Sequence, residues 1–149
     1  MPVSPSSESV DILDTLHELV YLLRTGMRRT VEATHPQLSF NDMRILIHVG
    51  RRPGMAQRDL VEHSHVDKAQ MARALNQLQE RGWLTRSPDA SDRRVRCLYL
   101  SETGQQIYVQ LRTLREQQAE QVLQGCSAEE RVQLLGWLQQ FRDRAAMDD

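Results

Sequence analysis

Cysteine is nearly absent from this chain. Cys97 and Cys126 are the only two, and they stand in no metal-type spacing. That argues against a disulfide framework and for a reducing, cytoplasmic setting. Lysine is scarcer still: Lys68 is the one lysine among 19 basic residues, so positive charge here means arginine, whose planar fork suits phosphate and guanine. No apolar run approaches the roughly 18 residues of a membrane-spanning helix. The stretch Met1–Ser9 has no basic region followed by an apolar core, so no signal peptide is expected, only a disordered lead over residues 1–8. There is no glycine-rich phosphate loop, no Gly-x-Ser-x-Gly and no His-Glu-x-x-His. Ser64 between His63 and His65 is sequence adjacency, not a catalytic triad. His17, His35 and His48 are scattered, and a His pair two apart is poor ligand spacing. Enzymatic chemistry, a metal and a cofactor are therefore not expected.

What is present is one domain's worth of chain. The 149 residues can bury roughly 68–70% of their unfolded surface. The net charge is −1, but it is unevenly spread. Between Arg51 and Arg96, ten basic side chains against six acidic give +4; elsewhere nine basic against fourteen acidic give −5. A basic middle between acidic flanks is an asymmetry that calls for an explanation.

The centre of that basic window is the stretch from Val66 to Gly82. Met71, Leu75 and Leu78 recur at helical spacing, with Ala74 beside them. Asp67 suits the N-cap and Gly82 the C-terminal stop. The opposite face carries Lys68, Gln70, Arg73, Asn76 and Gln77, side-chain types that reach phosphates and base edges. The same pattern also suits an ordinary solvated helix.

Its surroundings supply a context. A helix over residues 9–35 shows Leu13, Leu16, Val20, Leu23, Met27 and Val31 at spacings of three and four, widened by Ile12, Leu19 and Leu22. That stripe suits a partner helix from a second chain. Ser39, with Asp42 three residues on, caps a helix over 40–50 whose inward face is Met43, Ile45, Leu46, Ile47 and Val49. Arg51-Arg52-Pro53-Gly54 is a turn. A short helix over 56–63 buries Leu60 and Val61. Short helix, tight turn and the central helix in a row make a helix-turn-helix. Residues 83–87 and 95–100 read as strands around the turn-rich tip Pro88–Arg94, a wing. Ser101 caps a helix over 102–123, and Ser127-Ala128-Glu129-Glu130 opens a last one, with residues 143–149 expected to fray. The expected fold is mainly α with a small β-wing, ordered α-α-α-α-β-β-α-α. Its parts are a dimerisation helix (9–35), a winged helix-turn-helix (36–100) and C-terminal dimerisation helices (101–146).

Several pieces fall in register: Val66-Asp67-Lys68, Arg73, Leu78, Gly82-Trp83-Leu84-Thr85-Arg86, Asp89-Ala90-Ser91-Asp92-Arg93-Arg94 and Leu98-Tyr99-Leu100-Ser101-Glu102-Thr103-Gly104. Together they resemble the MarR family of bacterial winged-helix transcriptional regulators, over about residues 10 to 145. Two departures stand out. Ala69 and Ala56 occupy places where the family often has Ser or Thr, removing a hydroxyl near the start of the reading helix and a cap hydroxyl before it.

The resemblance implies a homodimeric, ligand-responsive repressor that binds double-stranded DNA at a pseudo-palindromic operator. The DNA-facing residues would be Lys68, Ala69, Gln70, Arg73, Gln77, Asp92, Arg93, Arg94 and Arg96. Gln70 can pair with adenine; Arg73 can pair with guanine or sit on a phosphate. Arg94 would enter the minor groove, held by Asp92, with Arg93 and Arg96 on the backbone. A small aromatic or phenolic effector would be lined by His17, Tyr21, Met43, Arg44 and Tyr108. Cys126, beside a helix start, is a candidate redox thiol. The rival is a winged helix used only for protein contacts.

Overall fold

The structure, a computed structural model, describes residues 5–64 and 66–148. Two compact units divide the chain, residues 1–115 and 116–149.

The first unit opens with α1 (Pro5–Thr34). Residues 5–8, expected as a disordered lead, form its first turn; residues 1–4 lie outside the described residues. A proline at the first helical position costs no helical hydrogen bond, so it starts a helix readily. Only Met27 and Val31 of the α1 stripe are buried, while Leu13, Val20 and Leu22 are exposed.

Next comes α2 (Phe40–Arg51), which begins with a capping box. The Asp42 amide donates to Ser39 Oγ (3.1 Å) and the Ser39 amide to Asp42 Oδ2 (3.0 Å). Its expected inward residues, Met43, Ile45, Leu46, Ile47 and Val49, are all buried. A two-residue strand, β1 (Met55–Ala56), precedes α3 (Gln57–Ser64). Ala56, expected to open the helix, belongs to this strand. The central helix is α4 (Lys68–Glu80). Asp67 caps it, accepting from the Ala69 amide at 2.6 Å and the Gln70 amide at 3.2 Å. Asp67→Ala should cost about 1 kcal/mol of stability, read as a lower urea midpoint at unchanged slope.

Gly82, at φ +76°, ends α4 in a Schellman motif. The Gly82 amide donates to Gln79 O and the Trp83 amide to Leu78 O, both at 3.0 Å. The chain then forms β2 (Leu84–Pro88) and β3 (Arg96–Leu100). The sheet has the antiparallel order β1-β3-β2, with Arg86 opposite Leu98 and Met55 opposite Leu98 on the other side. The fold class is as the sequence implies, with a third strand added. One apolar core joins Leu46, Leu60, Met71, Leu75, Leu78, Leu84, Leu98 and Leu111. Fully burying each such side chain contributes roughly 1.5–3 kcal/mol.

The helix α5 (Glu102–Val122) crosses from the first unit to the second. In the second unit, Ser127 and Glu130 form a capping box for α6 (Ala128–Ala145). Arg131 donates to both Glu120 oxygens (2.9 and 3.0 Å) and to Leu123 O (3.1 Å), tying the two helices into a hairpin. The expected fraying from residue 143 is not seen: α6 runs to Ala145, and a 3-10 turn follows to Asp148. Among the described residues, no helix is long and apolar enough to cross a membrane.

Candidate nucleic-acid interface

α4 turns one face inward and leaves the other in solvent. Met71, Ala74, Leu75 and Leu78 are buried, whereas Lys68, Ala69, Gln70, Arg73 and Gln77 are exposed. Gln70, Arg73 and Gln77 stand at i, i+3 and i+7, which puts them on one stripe. Asn76, expected on the same polar face, is instead engaged by Arg86: its Oδ1 accepts from Arg86 Nη2 at 2.5 Å.

The helix is held at both ends. Asp67 caps its start. At its end, Arg81 Nη1 donates to Gln37 O (2.9 Å) and to Asp42 Oδ2 (3.4 Å), and its guanidinium lies 5.1 Å from the Trp83 ring centroid. Asp42 is buried, so Arg81 joins the C-terminus of α4 to the capping box of α2. The reading stripe thus stands on a platform fixed to the core.

The wing is ordered by its own acids. Asp89 accepts from the Ser91 amide and hydroxyl at 3.2 and 3.1 Å. Asp92 Oδ1 accepts from the Arg94 amide (3.0 Å) and from Arg94 Nε (3.3 Å). The Arg94 side chain is nonetheless 93% exposed, so its guanidinium projects from the tip with one edge anchored. Such an exposed pair adds little to stability; its effect is on direction. Arg93 and Arg96 are also exposed.

Wing and helix meet across a groove of about 520 Å³, lined in part by Arg58, Glu62, Lys68, Asp92, Arg94 and Arg96. The structure therefore brings Lys68, Asp92, Arg94 and Arg96 to one concavity, while Gln70, Arg73 and Gln77 extend along the exposed stripe of α4. Four cations against two carboxylates make the groove basic. Arg58, on α3, was not singled out in the sequence. Its helix carried no reading pattern, and only the fold places it beside Lys68.

The residues expected to line an effector site are less well gathered. Met43 packs in the core cluster, so it is a packing residue. Arg44 Nη2 donates to Ser64 O at 3.4 Å. Tyr108 packs closely on Gly50, where an added Cβ would fall far inside contact distance of its Cδ2. His17 and Tyr21 are exposed and lie about 15 and 9 Å along α1 from Met27 at 1.5 Å per residue. Around Tyr108 the charge is positive. Burial, with Arg44 and Arg51 nearby, holds the His48 imidazole below its ordinary value. Burial and Arg51 likewise lower Arg115, partly offset by Tyr108. His63 Nδ1 is 2.6 Å from Asp59 O; His65 lies outside the described residues. No group of three or more His, Cys, Asp or Glu among the described residues is placed to hold a metal ion. Cys97 is buried and Cys126 exposed, both free.

Residues 37–95 match the model of the MarR family. The solved structure of the transcriptional regulator SlyA superposes with a TM-score of 0.78 at 27% identity, covering 93% of this chain and 96% of that one. Over residues 37–95 the chain is similar to the MarR family of winged-helix transcriptional regulators. It shares with them the winged-helix fold. It is 29% identical over 103 residues to the HTH-type transcriptional regulator YybA of Bacillus subtilis (strain 168), 69% of each chain. FabT of Streptococcus pneumoniae, solved in complex with DNA, shares the fold with a TM-score of 0.81 at 18% identity, covering 95% and 99% of the two chains. SlyA and YybA are transcriptional regulators.

Proposed function

We propose that this protein is a dimeric, ligand-responsive repressor of a pseudo-palindromic operator. Residues 36–100 are its DNA-binding head, and residues 9–35 and 101–146 form its dimerisation region. With DNA as partner it works in the cytoplasm. The observation that carries the reading is the exposed stripe of α4 running into the basic groove that ends at Arg94. In this reading α4 lies in the major groove, with Gln70 and Arg73 on base edges, Gln77 farther along the stripe, and Ala69 in van der Waals contact. Lys68, Arg93 and Arg96 neutralise phosphates. Arg94, aimed by Asp92, enters the minor groove, where a narrow A/T-rich stretch attracts it. The DNA bound in the FabT structure supports this use of the shared fold. A dimer sitting on its operator without contacting polymerase blocks transcription, which makes repression the expected sign. The effector is a small aromatic or phenolic molecule lying against Arg44 and Tyr108, where Arg51 and Arg115 favour an acidic or phenolate group. His17 and Tyr21 complete the site, and Met43 supports it from the core.

The test is anisotropy titration against DNA from upstream of the protein's own gene, with random duplex as control, at two salt concentrations. Arg73→Ala should lose about 1–3 kcal/mol on the preferred duplex and relax its sequence preference. Arg94→Ala should weaken binding most on A/T-rich flanks. Binding unaffected by either substitution, without steep salt dependence, would favour the protein-contact module instead.

A further inference from the structure

β2 carries an arginine where its pleat faces inward. Leu84, Arg86 and Pro88 share one face of the strand, and Leu84 on that face is buried. Arg86 is half-buried there, opposite the buried Leu98 of β3. Its Nε is buried without a hydrogen-bond partner. Burial, with Arg96 nearby, holds its guanidinium below the ordinary arginine range. An apolar side chain of similar length would fill this place without stranding a donor or adding a like charge.

What the arginine adds is direction. Its Nη2 donates to Asn76 Oδ1 of α4 at 2.5 Å, a short bond strengthened by the donor's charge. Asp67 fixes the start of α4 and Arg81 its end; this bond fixes its middle to the strand that leads into the wing. Asn76 is flanked on α4 by Arg73 and Gln77, so the tie sits beside the reading stripe. The spacing from those side chains to Arg94 depends on how α4 lies against β2, and a duplex must meet both at once.

We propose that Arg86 is a positioning residue for DNA recognition, which through Asn76 sets the angle between α4 and the wing. Asn76 is then a structural partner rather than a base reader. The consequence for DNA rests on the function proposed above; the tie itself is testable without DNA.

The experiment compares Asn76→Ala, Arg86→Met and the double variant. First, hydrogen exchange is followed on the free protein. Each single variant should speed exchange of the amides in β2 and β3 by about tenfold, and the double should add nothing further. Unchanged exchange in Asn76→Ala would overturn the proposal. Second, each is titrated with a duplex that the wild-type protein enriches from a randomised library. Each single variant should bind about tenfold more weakly, with the salt slope unchanged because no phosphate contact is lost. If Arg86 instead touches phosphate, Arg86→Met lowers that slope by about one while Asn76→Ala binds like wild type; that result also overturns the proposal. If the wild-type protein enriches no duplex, the operator reading fails, and the exchange result still decides whether the tie exists.

Discussion

Gly104→Ala should unfold the winged head more readily than Gly82→Ala. A Cβ at this position would fall far inside contact distance of the Trp83 carbonyl oxygen and 2.9 Å from its carbonyl carbon. The obstacle is backbone, so no side chain can rotate away, and that backbone is held. Trp83 O accepts from the Ser101 amide at 3.0 Å. Ser101 Oγ donates to Gly82 O (2.5 Å) while accepting from the Gly104 amide (3.0 Å). The first turn of α5 therefore lies directly on the chain leaving α4, and only a missing side chain allows it. Relieving the clash means moving α5 off Gly82–Trp83 and breaking these bonds together. The expected loss is about 3 kcal/mol or more, a fall in Tm on the order of 4–8 °C per kcal/mol for a head of this size. Gly82→Ala is the control. Its φ is +76° but nothing lies within 4 Å of an added Cβ, so only the left-handed conformation is penalised, by about 1–2 kcal/mol. Equal melting temperatures for Gly104→Ala and wild type would show that the two backbones do not meet as described.

Local signals explain why so much of the fold was legible in the sequence. Ser39 with Asp42, Asp67, and Ser127 with Glu130 cap helices through bonds spanning two or three residues, so spacing alone reveals them. The apolar period of α4 and the tandem helices before it follow likewise from neighbours in sequence. β1 escaped because two residues have no period; it exists only because Met55 and Ala56 meet Leu98 and Cys97. The stop of α6 escaped because its capping box marks a start and nothing marks the end. Asn76 looked like a reader because it is polar and outward on the helix. What removes it is Arg86, ten residues on, whose reach is set by the register of β2. Met43 shows the other failure. An apolar residue on an inward stripe reads the same whether it lines a ligand site or fills a core, and the fold puts it in the core. Gly104 was legible only as part of a familiar motif; its reason, the Trp83 carbonyl, is tertiary.

Trp137→Asp with Leu138→Asp should convert the proposed dimer to a monomer while leaving the winged head folded. α6 has no buried residue in its 18, yet Leu134, Trp137, Leu138 and Phe141 stand at i, i+3, i+4 and i+7, all substantially exposed. That is one continuous apolar stripe, flanked by Val132 and Leu135. A stripe of this size left in water marks an interaction surface, and the proposed two-fold dimer would cover it with its own copy. Two aspartates would be buried unpaired in that dimer but solvated in a monomer, so the cost falls on association rather than on folding. Sedimentation should show the monomer, with the thermal transition of the head retained. Operator affinity should fall roughly a hundredfold or more, because one head then binds one half-site and the linkage between heads is lost. Weakening confined to palindromic duplexes, with single half-sites bound as by wild type, is the pattern that separates lost dimerisation from a damaged interface. A variant that still sediments as a dimer would move the interface away from α6, leaving the exposed stripe of α1, with Leu13, Val20 and Leu22, as the surface that pairs the heads.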